Sequence, residues 1–401
     1  MTRLYEILIS MAIVAVLFVL VAVFLPSSRT LVEQSETNRQ RTIVFDTLNS
    51  FRRFGEWNPI MLRDPQMRVE RSGPEEGVGA RLSYESDERA IGKGAWEIVE
   101  SDPGNRVVYA IESPAVGSDK RMDFTLRGTG RNNRNIEITQ RYHVDYGWNL
   151  LGRYAGMYVR SSVGEDMKIG MRRLSTMLAQ VPNVDYRVEG SKLRDMSTVD
   201  RPAENLLVVF AGAVDRNNQK IKESMEANSE WIKRAMDANN LEPAGPMRIV
   251  TSELGREAYI FDVAQPVRRK ASGGTARSTG AEGEEAAAAQ PIAANDGELT
   301  GLDLPETVKY ERTEPGRAAR ALYTGYMAEL ENVRNALRAW AMTHGHEAAG
   351  RPYEYYVNGI DAAFTAEGEY EVYWPLRDRN APVAPAAPAA APVEAPAEAA
   401  E

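Results

Sequence analysis

The chain has 401 residues, of which 43% are hydrophobic and 26% charged, a composition typical of a globular protein with two or three domains. Its 48 Lys and Arg residues against 57 Asp and Glu residues give a net charge of −9. This balance argues against a nucleic-acid-binding protein, because such proteins usually carry a basic surface. The sequence has no cysteine and three histidines, which excludes disulfides and thiolate metal sites and leaves little for a histidine-rich centre. We therefore expect no metal and no cofactor.

The strongest local signal is an apolar run near the start. Residues 7–25 read ILISMAIVAVLFVLVAVFL, with Ser10 as the only polar member. As a helix this run would be about 28 Å long, close to the hydrocarbon thickness of a bilayer. A cleaved signal peptide usually has a shorter apolar region and a small-residue cleavage site, whereas Pro26 follows this run. We predict an uncleaved single-pass anchor, Ile7–Leu25, in a bacterial inner membrane.

The orientation of this anchor has two opposing signals. Arg3 precedes the run, while Arg29, Arg39 and Arg41 follow it, and this count favours a cytoplasmic body. The very short tail before the run instead resembles signal anchors that export the chain behind them. We expect a periplasmic body.

Composition divides the rest of the chain into two blocks, residues 38–185 and 204–377. Residues 271–296 interrupt the second block and contain no aromatic residue and one large aliphatic residue, Ile292. Residues 380–401 form an Ala/Pro/Glu tail. Neither segment can bury enough apolar surface to offset chain entropy, so both are predicted to be disordered.

The first block has the pattern of an antiparallel sheet with a long terminal helix, and we predict an α+β fold. A short helical pattern at Thr42–Phe51 comes first, and the stripe Met167, Met171, Leu174 and Leu178 indicates the long helix. Period-two alternation and intervening turn residues predict the strands. These strands are Ala80–Tyr84, Gly94–Glu100, Arg106–Glu112, Arg121–Arg127 and Asn135–Val144.

This order resembles the START-like helix-grip superfamily, in particular the bacterial polyketide cyclase/dehydrase (SRPBCC) group. The matching stretches are Val44-Phe45-Asp46-x-Leu48, Trp57-Asn58-Pro59, Gly77-Val78-Gly79 and Gly92-Lys93-Gly94. The resemblance implies an apolar cavity between sheet and helix that binds a hydrophobic molecule. Trp57 is either a core plug at the end of that cavity or a residue that stacks on the ligand.

The second block shows strand–helix–strand–strand twice, which indicates a structural repeat. The first unit comprises Leu206–Ala213, Ile221–Asn239, Arg248–Glu253 and Ala258–Val263. The second unit comprises Arg317–Tyr323 after a further extended segment Thr307–Glu311, a helix through Leu330 and Trp340, Pro352–Val357 and Tyr370–Trp374.

The second block resembles the GyrI-like, or bacterial regulator effector-binding, domain. The matching stretches are Tyr323-Thr324-Gly325-Tyr326, the helix through Trp340, and Gly350-Arg351-Pro352-Tyr353-Glu354-Tyr355-Tyr356. Tyr323 stands where the family commonly has histidine. The resemblance implies an aromatic-lined cleft between the repeats, with Glu354 and Tyr356 at the positions of the family's Glu-x-Tyr pair.

The residues themselves give Glu354 two possible roles. A carboxylate among tyrosines can hold a cation by charge, with cation–π attraction of roughly 0.5–2 kcal/mol in addition. It can equally be an exposed glutamate on an edge strand. We predict a ligand site formed by Glu354, Tyr356, Tyr326, Trp340 and Tyr323.

Two functional hypotheses remain. The favoured one is a membrane-anchored binding protein for a small hydrophobic or cationic amphipathic molecule, with no nucleic-acid partner. The alternative is an enzyme: either a hydrolase that uses Glu354 or a cyclase-like activity in the helix-grip cavity. The sequence does not identify protein partners.

Overall fold

The computed structural model describes residues 2–89, 91–188, 192–270 and 297–377. The predicted α+β class is confirmed, because two large antiparallel sheets are combined with helices. The predicted insert, residues 271–296, and the predicted tail, residues 380–401, lie outside the described residues.

Helix α1 (Thr2–Phe24) contains the apolar run predicted from the sequence except for its last residue, Leu25. It is long and apolar enough to cross a membrane, and nearly all of its surface is exposed. A signal sequence near an N-terminus meets the same criteria. The predicted span is therefore present as a candidate, and the predicted orientation stays a prediction.

The first sheet has seven strands in the order β1-β7-β6-β5-β4-β3-β2, all antiparallel to their neighbours. Along the chain the strands are β1 (Ser28–Thr37), β2 (Arg68–Ser72), β3 (Arg81–Glu85), β4 (Lys93–Asp102), β5 (Arg106–Glu112), β6 (Ser118–Thr129) and β7 (Asn135–Asp145). The helices are α2 (Arg41–Leu48), α3 (Phe54–Trp57), α4 (Ile60–Arg63), α5 (Leu150–Ala155) and α6 (Val159–Ala179).

Strand β1 was not predicted. It pairs with β7 over its whole length, from Ser28 opposite Asp145 to Thr37 opposite Ile136. Its sequence, SRTLVEQSET, has no period-two apolar alternation because it lies at the sheet edge, where no residue of the strand is fully buried. The first sheet therefore begins at Ser28, ten residues before the predicted first block, residues 38–185.

Helix α6 shares one apolar core with the first sheet. The four residues of the predicted stripe, Met167, Met171, Leu174 and Leu178, are all buried in that core. Gly170 on the same helix faces Pro59: a Cβ added there would lie 3.4 Å from the Pro59 Cδ atom. This close approach brings α6 against the segment that contains Trp57.

The second sheet has the order β13-β9-β12-β11-β15-β16-β14-β8, with β10 paired to β12. Its strands are β8 (Leu193–Arg201), β9 (Asn205–Asp215), β10 (Leu241–Pro243), β11 (Arg248–Leu254), β12 (Ala258–Arg269), β13 (Lys309–Arg312), β14 (Gly316–Thr324), β15 (Tyr353–Tyr356) and β16 (Glu369–Pro375). The helices are α7 (Asn218–Ala238), α8 (Leu330–Thr343) and α9 (Gly359–Ala363).

The element order in this region is β9-α7-β10-β11-β12 in a first unit and β14-α8-β15-α9-β16 in a second unit, with β13 between them. The two units join in one sheet through antiparallel pairing of β11 with β15, where Ile249 lies opposite Glu354. Strand β8, which was not predicted, adds an edge beside β14. Glu354 therefore lies at the centre of the sheet, not on an edge strand.

Helix α8 packs on both cores at once, and we call its contact with α2 the junction. Ala336 and Ala339 belong to the same apolar cluster as the core of the first sheet. Leu337 and Ala341, on the other side of the helix, belong to the core of the second sheet. One helix with apolar residues on two faces thus connects the two sheets.

The junction also contains a buried polar group. Asp46 on α2 accepts a 2.8 Å hydrogen bond from the Tyr186 hydroxyl and pairs with Arg187 at 3.1 Å. Burial raises the pKa of Asp46, although Arg187 acts to lower it. At the end of α8, the His344 ring lies edge-on to Tyr186, with ring centroids 6.4 Å apart.

Lowering the pH is expected to weaken stability through His344. Burial lowers the pKa of His344 from its usual 6.5, the Arg52 and Arg187 charges lower it further, and the Trp340 carbonyl and Glu76 oppose them. As the pH falls through 6.5, the unfolded chain takes up a proton that the folded chain does not, so the free energy of unfolding falls.

This effect can be measured by urea unfolding at about pH 7.5 and about pH 6. The wild type should lose more stability over this interval than the His344→Gln variant, which cannot titrate at this position. Equal losses in the two proteins would show that His344 does not contribute.

Candidate functional site

A cavity of about 190 Å³ lies between the first sheet and helix α6, next to the α3–α4 segment. Its volume exceeds the roughly 150 Å³ of an apolar cavity that binds benzene. Most of its wall is apolar or aromatic. The wall includes Trp57, Tyr84, Trp96, Met122, Tyr142 and Met167.

Three residues of this wall carry a buried polar atom without a hydrogen-bond partner among the described residues: Nε1 of Trp57, Nε1 of Trp96 and Oε1 of Gln140. The Gln140 amide nitrogen donates to the Met122 sulfur at 3.1 Å, a weak acceptor. A buried polar group without a partner costs about 1–3 kcal/mol. Three such groups around one cavity indicate a place where the protein leaves hydrogen-bonding capacity unused.

An ion pair crosses the wall of the cavity. Arg63 at the end of α4 donates to Asp166 on α6 at 2.5 Å, and both residues line the cavity. Burial raises the pKa of Asp166, and this effect outweighs the opposing charge of Arg63. Arg63 is exposed, as are Pro114 and Ala115 on the loop between β5 and β6. These three residues form the rim of the cavity.

Trp57, predicted to be either a core plug or a ligand-stacking residue, lies in the apolar core and also in the wall of the cavity. It is 2% exposed and packs edge-on to Phe54 and Phe124, with ring centroids 5.1 and 5.7 Å away. It also lines the cavity. Its contact with a ligand stays a prediction.

Glu354 on β15 is completely buried, and Arg334 on α8 supplies its counter-charge. The Arg334 Nη2 atom donates to Oε2 of Glu354 at 3.0 Å, and its Nε atom donates to Oε1. Arg334 also donates to the Tyr259 hydroxyl at 3.1 Å, which hydrogen-bonds with Thr251 at 2.8 Å. Burial by itself would lower the pKa of Arg334, but the Glu354 carboxylate keeps it raised. The carboxylate is thus already neutralised by a side chain of the same protein.

The other predicted residues of this site fall into two groups. Tyr356 and Tyr323 are buried and both pack on the ring of Tyr370, at centroid distances of 5.1 and 5.7 Å. The Tyr356 hydroxyl is buried without a hydrogen-bond partner in the described part of the chain, and burial raises its pKa well above the usual value. Trp340 instead stacks on His344 at the junction, and the Tyr326 side chain is 53% exposed.

The opposite face of β15 carries a second buried ion pair that sequence reasoning missed. Arg248 donates to Glu204 at 2.9 Å and lies over the Tyr353 ring, 4.4 Å from its centroid. The Tyr355 hydroxyl donates to the other Glu204 oxygen at 2.6 Å. The only sequence signal was an arginine at the start of a predicted strand, and nothing local identified Glu204 as its partner.

Among the described residues, no group of three or more His, Cys, Asp or Glu side chains is placed to hold a metal ion. The arrangement offers a small cavity in the first sheet and two neutralised ion pairs in the second.

Comparison with known proteins finds no matching family model and no matching curated protein. Among solved structures, the chain is similar to the EcmrR C-terminal domain, with 14% identity and a TM-score of 0.33, over 46% of this chain and 97% of that one. It is similar to truncated norcoclaurine synthase from Thalictrum flavum, with 10% identity and a TM-score of 0.31, over 38% and 94%. It is also similar to EcmrR in a complex with DNA, with 12% identity and a TM-score of 0.34, over 62% and 88%. Similarities this weak establish neither a family nor an activity for this chain.

Proposed function

We propose that this protein binds a small, mainly apolar molecule in the cavity of the first sheet, and that α1 holds it at a membrane. The observation that carries the proposal is a set of polar atoms on Trp57, Trp96 and Gln140 that have no partner in the described part of the chain and that surround a mainly apolar cavity. A ligand with an acceptor group for the indole nitrogens and a donor group for the amide oxygen would satisfy them. This proposal includes the helix-grip arrangement that the first block resembles.

The GyrI-like cleft is a second, finer part of the proposal. Any cation that binds Glu354 has to compete with Arg334, which already makes two hydrogen bonds to the carboxylate. The net charge of −9 gives no support to a nucleic-acid partner. We therefore expect a small molecule to bind in the cavity of the first sheet more readily than at Glu354.

The cavity proposal predicts a difference between two probes of similar shape, 2-naphthol and naphthalene. Trp57→Phe and Trp96→Phe each remove one N–H donor, so each should weaken binding of 2-naphthol by about 0.5–1.5 kcal/mol, the net value of one hydrogen bond. Naphthalene, which accepts no conventional hydrogen bond, should lose much less affinity. Equilibrium dialysis of the full chain in one detergent measures both, because partitioning into micelles is common to all variants.

Trp231→Phe is the matched control, because Trp231 lies on α7 and is 41% exposed. It should leave both affinities unchanged. If neither probe binds the wild type, or if all three variants bind both probes equally, the cavity is not a ligand site. Mass spectrometry of small molecules that co-purify with the full chain would then be expected to find none.

Gln140→Leu is expected to stabilise the empty protein by about 1 kcal/mol, because it removes a buried acceptor that has no partner among the described residues and keeps a similar shape. Thermal unfolding should show a higher midpoint. Gln34→Leu on the neighbouring edge strand is the control: Gln34 is exposed and donates to Thr139 at 3.4 Å, so no gain is expected there. A destabilised Gln140→Leu protein would mean that the amide has a structural role.

A further inference from the structure

Exposed apolar side chains gather beside the end of α1. Trp148 is 82% exposed, Leu151 70%, Tyr158 68%, Val116 49% and Met157 48%. Four of them lie on the segment from the end of β7 to the start of α6. We call these five residues the juxtamembrane patch. Single exposed apolar residues are ordinary on a soluble surface, but five of them on or next to one short helix, α5, point to an interaction surface.

The patch is fixed to the end of α1 by specific contacts. Arg153 on α5 donates to the carbonyls of Ala22, Val23 and Leu25, at 3.3, 2.8 and 3.2 Å. These are carbonyls at the C-terminal end of α1, where helices leave acceptors unsatisfied and favour a positive charge. The ring of Trp148 lies against the same guanidinium, 5.5 Å from its centroid.

A second contact fixes the position of α5 along the axis of α1. The Tyr154 hydroxyl donates to the Phe18 carbonyl at 2.9 Å, and the two rings stack with centroids 4.3 Å apart. Phe18 lies six residues before the end of α1, about 9 Å along the helix axis. A helix that crosses a bilayer of about 30 Å hydrocarbon thickness would therefore place α5 at the boundary between headgroups and acyl chains.

The residue types in the juxtamembrane patch are those expected at the boundary between headgroups and acyl chains. Trp and Tyr are enriched at membrane interfaces because their rings are apolar and their polar tips reach water. Val116 contacts α5, since a Cβ added to Gly152 would lie 3.1 Å from a Val116 methyl carbon. The residues just before Val116 are Pro114 and Ala115, which form part of the cavity rim.

We infer that the juxtamembrane patch inserts into the interfacial layer of the bilayer that α1 spans, and thereby holds the rim of the cavity at the membrane surface. The occupant of this surface is phospholipid. The inference rests on the membrane anchoring in the proposed function. It implies that the ligand of the cavity is exchanged with the membrane.

Lipid quenching of tryptophan tests this directly, because α1 contains no tryptophan. The full chain is reconstituted in phosphatidylcholine vesicles whose acyl chains carry bromine either near the headgroup or near the chain middle. We expect shallow bromine to quench part of the emission more strongly than deep bromine. Trp148→Phe should remove most of that quenching, and Trp231→Phe should retain it.

A single-cysteine label tests the rim, and the cysteine-free sequence makes such labelling specific. An environment-sensitive nitrobenzoxadiazole group on Ala115→Cys should emit at shorter wavelength in vesicles than the same group on Arg131→Cys. Arg131 is exposed and lies beyond the other end of β6.

The outcomes separate the patch from the anchor. If the protein fails to float with vesicles, the anchor is overturned and the patch with it. If it floats but Trp148→Phe is quenched like the wild type, the anchor stands and the patch inference is overturned. If Trp148 is quenched but the label at position 115 reports water, the statement about the cavity rim is overturned.

Discussion

Replacing Glu354 by Gln is expected to lower the free energy of unfolding by about 3–5 kcal/mol, the usual cost of removing one partner from a buried ion pair. The reason is that Arg334, only 5% exposed, would keep its charge without a counter-charge. Replacing both Glu354 and Arg334 by Met should recover much of this loss, because no buried charge then remains. Urea unfolding followed by circular dichroism measures all three proteins.

Glu331→Gln provides a control, because Glu331 lies on α8, the helix that carries Arg334. Glu331 pairs with Arg216 at 3.0 Å, but the two side chains are 45% and 40% exposed. Solvent screens such a pair, so its loss should cost less than about 1 kcal/mol. A similar cost for Glu331→Gln and Glu354→Gln would contradict the structural role of the buried pair.

The same Glu354→Gln protein tests the ligand role predicted from the sequence. If it unfolds like the wild type but binds a lipophilic phosphonium cation more weakly, Glu354 is a ligand residue and Arg334 yields to the cation. Binding of a neutral analogue should then be unchanged. If the variant instead loses hydrolysis of a reactive ester while binding persists, the enzyme alternative replaces the binding proposal.

Replacing Ala339 by Asp is the second change with a large expected effect. Ala339 is completely buried and belongs to the core of the first sheet although it lies on a helix of the second. A carboxylate there would be buried without a partner, at a cost of about 3–5 kcal/mol. We expect the junction to open, so that urea unfolding splits into two transitions where the wild type shows one.

Asn332→Asp on the same helix is the matched control, since Asn332 is exposed. It introduces the same charge and should leave unfolding unchanged. If the two predicted blocks, residues 38–185 and 204–377, fold independently, Ala339→Asp should leave the stability of the first sheet intact. If Ala339→Asp changes nothing, α8 does not couple the two sheets.

The sequence by itself determined the elements of secondary structure to a large extent. Period-two alternation predicted strands such as Arg106–Glu112 and Asn135–Val144, which correspond to β5 and β7. The 3.6-residue periodicity predicted α6 and α8. These signals are local, because each comes from one face of an element against a core. Three edge strands, β1, β2 and β8, were missed for the same reason: none of them has a fully buried residue in its predominantly polar sequence.

The tertiary structure alone decided which side chains meet. Sequence position placed Glu354 among tyrosines, but the pairing of β11 with β15 and the packing of α8 decided that Arg334, twenty residues earlier, faces it. Period-two alternation indicates that Gln140 is the one polar residue on the inward face of β7. Only the fold shows that it borders a cavity together with Trp57 and Trp96. Periodicity states which face of an element is buried, whereas partners from distant segments depend on how the elements pack.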